Sequence, residues 1–238
     1  MVVYMVTCFV LMGIALILLV FYLIAKCHKY DLKELFIKII ISFLFILTAL
    51  VASCASGKFN IYNLLVIGGL VFGLIGDILL DLKYIDMERT IGYTYGGFIV
   101  FGLGHLMFMS TLILAFYQKG HPWYIVSAVI LDIVLSVATI LMEKPLKLKY
   151  GKYKKISFLY ALCLFGTCAF SLFLAILNGF KVLPLNLFLV GAVLFAISDL
   201  VLSGTYFGEG KDRPIDFIIN YVTYYGAQFV IAFLLLYI

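Results

Sequence analysis

A chain of 238 residues that is 66% hydrophobic and 12% charged, with a mean hydropathy of +1.20, is too apolar to fold as a soluble domain. The net charge of +5 is carried by lysines and arginines gathered between apolar runs, without the interleaved chemistry of a nucleic-acid surface. The five cysteines are odd in number and form no C-x-x-C, so they read as small apolar fillers, four within apolar runs (Cys8, Cys54, Cys163, Cys168) and Cys27 between two runs.

Eight apolar stretches follow one another, at about 3–25, 34–55, 60–82, 91–117, 122–142, 156–178, 183–205 and 214–238. Each can cross about 30 Å of hydrocarbon at about 1.5 Å per residue. The first stretch has no basic residue before Lys26 and no small-x-small cleavage site, so it is expected to stay as a membrane helix. The second holds Lys38 just inside its start. The third carries Gly76-Asp77-Ile78-Leu79-Leu80 and, one helical turn on, Asp81; the fourth carries His105. The fifth opens on Trp123-Tyr124, an interfacial pair, and holds Asp132 in mid-span. The seventh carries Ser198-Asp199-Leu200-Val201-Leu202. In the eighth, Tyr221, Tyr224 and Gln228 follow i, i+3, i+7 spacing and share one face. The fold class expected is an all-α membrane protein, a single eight-helix bundle over residues 1–238.

With eight spans, the first, third, fifth and seventh connections share one side and hold thirteen basic residues, six of them in 144–155. The other side has only Lys58, Lys119 and Lys181. Positive charge marks the cytoplasmic side, so both termini are expected outside, in what reads as a bacterial cell membrane.

The chain repeats itself. Asp77 and Asp199 lie 122 positions apart in similar settings, and Gly104-His105 is answered by Ala227-Gln228 at an offset of 123. Halves of about 1–118 and 119–238 with four spans each would share one orientation and bring the two aspartates face to face. Asp132 has no counterpart in the first half. By helix rise, the aspartates sit about 8–9 Å from the cytoplasmic end of their spans, and His105 and Gln228 about 21 Å. A polar pocket open to the cytoplasm follows. A carboxylate in a membrane helix costs several kcal/mol on some scales, about 3 on others, and marks a functional site by default.

The motifs G-L-I-G-D-I-L-L (73–80), F-x-x-G-H-L-M-F (101–108), F-A-I-S-D-L-V-L (195–202) and Y-Y-G-A-Q (224–228), in this order and spacing, resemble the YhhN family of lysoplasmalogenase-like membrane proteins. The resemblance implies hydrolysis of the vinyl ether of a lysophospholipid, without metal or other cofactor, to a fatty aldehyde and a glycerophospho-ethanolamine or -choline. The matching residues are Asp77, His105, Ser198, Asp199, Tyr224 and Gln228. Vinyl ether cleavage needs one carboxylic acid to protonate carbon and one carboxylate beside it, and two aspartates sharing a buried site can divide that work. Tyr221 and Asp81 join the substrate-binding candidates, with Asp81 either solvated at the interface or guarding the entrance. His105 and Gln228 are expected to flank the pocket floor and the start of the alkenyl chain, and Lys83, Arg89, Lys211 and Arg213 to surround the lipid phosphate.

Plainer readings stand beside these. The aspartates could be packing carboxylates bonded to tyrosine and serine hydroxyls, and His105, Tyr224 and Gln228 could be interhelical hydrogen-bonding glue. A proton-coupled transporter of a small molecule or lipid could use the same carboxylates, although the fourth and eighth spans lack an obvious Gly/Pro break. A zinc site is disfavoured, since His28 and His121 fall in opposite connections and leave His105 alone in the membrane. Membrane lipids are the expected surroundings, and nothing in the sequence sets an oligomeric state.

Overall fold

The computed structural model describes residues 2–26, 32–55, 57, 59–116, 121–208 and 213–238. Among them, eight helices are long and apolar enough to span a membrane. They are α1 (Val2–Lys26), α2 (Leu32–Ala55), α3 (Ile61–Ile85), α4 (Thr90–Phe116), α5 (Trp123–Leu141), α6 (Lys154–Leu177), α7 (Leu183–Phe207) and α8 (Pro214–Phe233). A short 3₁₀ turn, Leu234–Leu236, follows α8.

Local chemistry sets several of the ends. Asn60 caps α3: its side chain accepts from the backbone N–H groups of Tyr62 and Asn63, and the Asn63 side chain accepts from the Asn60 N–H. α6 stops at a reversal in which Gly179 and Phe180 both take φ of +57°, and the Asn186 side chain donates to the Phe180 carbonyl at 2.7 Å. Proline stands in the first turn of α7 and opens α8, where its missing N–H costs nothing. α3 and α7 run two or three residues beyond the expected 82 and 205, because the tyrosines and phenylalanine there still find packing partners: Lys83 Nζ lies 3.0 Å from the centre of the Tyr206 ring, and Phe207 packs on Tyr150.

α2, α3, α4, α6, α7 and α8 form a closed ring, each packed on the next, with α8 returning to α2. α1 lies mainly against α2, and α5 against α6. The pattern occurs twice: the succession α1 to α4 is matched by α5 to α8, and the α4–α6 contact by the α8–α2 contact. This is the order expected of two four-helix halves in parallel. Between α3 and α4 the approach is close enough that a methyl on Gly104 would lie 3.0 Å from the Gly69 carbonyl, so the backbones meet without side chains between them. The core of the ring is built of Phe45, Phe108, Phe188, Phe195, Leu70 and Leu112, all fully or almost fully buried.

The α5–α6 connection is strapped to the end of α7. The Lys149 amide donates to the Phe207 carbonyl at 2.7 Å, and the Tyr150 and Ser203 hydroxyls lie 3.2 Å apart. Glu143, at the start of this connection, accepts from Lys154 Nζ at 2.5 Å and from the Tyr150 amide at 3.3 Å. The hydrogen bond from Lys154 holds the Glu143 carboxyl below the usual glutamate range.

Candidate functional site: a carboxylate pair inside the ring

Asp77 on α3 and Asp199 on α7 line one cavity of about 110 Å³ inside the ring. Both stand eight residues before the end of their helix, about 12 Å along the axis, deeper than the expected depth of about 8–9 Å because both helices run past their expected ends. The cavity lies at the end of the bundle that bears the α1–α2, α3–α4, α5–α6 and α7–α8 connections. Its lining includes the beginnings of α4 and α6 (Phe98, Tyr160) and the endings of α5 and α7 (Ile140, Tyr206).

The surroundings of the two aspartates differ. Asp77 is 3% exposed; one of its oxygens accepts from Ser42 Oγ at 2.6 Å and from the Tyr224 hydroxyl at 2.8 Å. Its other oxygen faces Lys38 Nζ at 3.3 Å. The same ammonium lies 3.0 Å from Asp81 and 5.5 Å from the centre of the Tyr221 ring. Asp199 is half-buried and accepts a short hydrogen bond from the Tyr160 hydroxyl. Among the described residues it forms no ion pair.

The candidate residues divide accordingly. Ser198, Tyr221 and Tyr224 line the cavity with the aspartates. Ser198 accepts from the Asn220 amide through both its hydroxyl and its carbonyl, at 2.9 and 3.0 Å. The Tyr221 hydroxyl lies 3.0 Å from that of Tyr22 on α1. Gln228 is not at the wall. It stands one layer behind, donating to the Tyr224 hydroxyl at 3.0 Å, which in turn donates to Asp77. Gly73 makes room for it, since a methyl there would lie 2.5 Å from Gln228 Nε2. His105 is also behind the wall: its Nδ1 is 3.2 Å from Thr167 Oγ1, and its ring is enclosed by Phe108, Tyr160 and Phe195. His105 and Gln228 thus stand behind the lining, touching it through Tyr160 and Tyr224, and do not face the cavity themselves.

Asp81 is corrected as well. It is 1% exposed and bound to Lys38 rather than solvated, because α3 continues past it to Ile85 and carries it inside the bundle. Of the expected phosphate holders, Lys83 reaches the Tyr206 ring of the cavity wall. Arg89 and Arg213 instead pair with Asp86 and Asp216 at the surface, and Lys211 lies outside the described residues. Asp132, half-buried on α5, accepts from Ser136 one turn away at 3.1 Å. Among the described residues no three His, Cys, Asp or Glu side chains converge in a way that could hold a metal ion.

Lys38, Tyr160 and Asn220 are among the polar cavity residues to which the sequence pattern assigns no site role. One signal reaches two of them: the offset of 122 that relates Asp77 to Asp199 also relates Lys38 to Tyr160. Stripping Asp77 of such a partner would leave an uncompensated buried charge, at a cost of about 3–5 kcal/mol in comparable buried pairs.

No curated protein and no solved structure matches this chain. The cavity side chains from Lys38 to Tyr224, with Gln228 behind them, all fall within residues 33–235, which the model of the YhhN family matches, and the chain belongs to that family.

Proposed function

We propose that the protein hydrolyses the vinyl ether bond of lysoplasmalogens, releasing a fatty aldehyde and a glycerophospho-ethanolamine or -choline, with Asp77 and Asp199 as the acid–base pair. The observation that carries this reading is that both aspartates line one cavity within a membrane bundle. Family membership and the motifs around the two aspartates support it further. Vinyl ether cleavage needs a proton delivered to carbon, then water captured by the resulting oxocarbenium ion, and two carboxyl groups can serve both steps. Tyr224, held by Gln228, and Ser198, held by Asn220, would orient the water and the glycerol hydroxyl.

The substrate would enter sideways from the cytoplasmic leaflet. Its phosphate would rest near the Lys-rich end of the bundle, with Lys83 as contact, and its first-carbon ether would reach the aspartates. The test is incubation of the purified protein with 1-alkenyl lysophosphatidylethanolamine and detection of free aldehyde. Aldehyde that requires both Asp77 and Asp199 supports the reading. A carrier built on the same carboxylates would move solute and release no aldehyde, and that result would overturn it.

A further inference from the structure

The two halves place different groups at one equivalent position. On α2 the residue that meets the aspartate is Lys38, an ammonium; on α6, 122 positions later, it is Tyr160, a phenol. Ser42 and Tyr224 add two donors to Asp77, and the Tyr225 hydroxyl stands 3.3 Å from Ser42. Among the described residues, the α7 aspartate has the Tyr160 phenol as its hydrogen-bond donor. Lys38 is shared with the buried Asp81 at 3.0 Å, yet a carboxylate with that cation and two hydroxyl donors is still better stabilised as an anion than one with a phenol and the cavity before it.

We propose that Lys38 is the positioning residue that divides the pair, holding Asp77 as the carboxylate and leaving Asp199 to carry the proton. The catalytic meaning of this assignment rests on the hydrolase reading above. Asp199 would give its proton to the vinyl carbon, producing an oxocarbenium ion. Water would add to that ion as Asp77 takes its proton, forming a hemiacetal. In the collapse, the hemiacetal hydroxyl would return a proton to Asp199 while Asp77 protonates the departing ether oxygen. Aldehyde and alcohol leave, and both aspartates regain their starting states.

The assignment can be read without substrate, from the carbonyl stretch of protonated carboxyl groups in infrared difference spectra near neutral pH. An Asp132→Asn background removes the carboxyl of α5, and Asp81→Asn controls for the buried carboxyl next to Lys38. The expected spectrum has a band that Asp199→Asn abolishes and Asp77→Asn retains. Lys38→Gln should add a second band, which the double variant Lys38→Gln/Asp77→Asn loses, and Lys38→Arg should keep the parent spectrum. A parent band that belongs to Asp77, an unchanged spectrum in Lys38→Gln, or a new band that disappears with Asp81→Asn instead, would each overturn the proposal. If Lys38→Gln does not fold, the Asp77→Asn and Asp199→Asn spectra still decide which aspartate holds the proton. Expected bands with no aldehyde release would sink the hydrolase reading alone. Aldehyde release with the bands reversed would sink the assignment alone.

Discussion

At the scale of single residues, the cavity depends on side chains that touch each other more than on any one of them. Asp77→Asn or Asp199→Asn should lower turnover by at least about a hundredfold, the lower range for general acid–base groups. The folded state should persist, because an amide can still bond Ser42, Tyr224 or Tyr160; retained turnover in both variants would remove the pair from the chemistry. Gly73→Ala tests the layer behind. The added methyl must displace the Gln228 amide and, through it, the Tyr224 hydroxyl, so kcat should fall while the helix forms normally. A kcat equal to the parent value would show that Tyr224 holds its place without Gln228. The aspartates were legible in the sequence because a carboxylate stands out in an apolar run. Lys38 was not, since a lysine near a helix end also reads as a snorkelling or topological charge, and only the rotation of α2 turns it inward. Tyr160 was one tyrosine among seventeen.

Elements were the most legible level. An apolar run of membrane length leaves the backbone no alternative to a helix, so all eight spans could be read to within a few residues. What hydropathy cannot carry is the strap from the α5–α6 connection to α7, which rests on two backbone groups and a few polar side chains. The lysines of 144–155 read as a topology signal, yet Lys154 also binds Glu143. Because the Glu143 carboxyl is held below its ordinary range, the support it lends is present above the unfolded glutamate value. That support is lost as pH falls through the lower, folded one. Lys154 is exposed and Glu143 partly so, and the pair is screened by salt, so the effect should be local. Glu143→Gln should speed hydrogen exchange at the Tyr150 and Lys149 amides at neutral pH, reproducing what acid does to the parent. Equal exchange rates in the two proteins would mean that the strap holds without this pair.

For the whole molecule, orientation and ring closure are the testable properties. Single cysteines placed in 144–155 of a cysteine-free variant should react with an impermeant reagent only when the cytoplasmic face is opened; labelling of intact cells would invert the topology. Lys83→Gln should raise KM more than it lowers kcat, the mark of lost ground-state binding at the Lys-rich end. Ring closure has another consequence. α8 packs on α2 and reaches α1, where the Phe9 and Phe233 rings are 5.1 Å apart, so the first and last helices of the chain are spatial neighbours. Helix order along the polypeptide is then separable from helix order around the ring. A circular permutant opened between α4 and α5, with a short linker from α8 to α1, would recreate every helix–helix seam and the cavity they enclose. Such a protein should insert, fold and turn over as the parent does. The covalent path between the two halves would prove dispensable, and only their arrangement in the bilayer would matter.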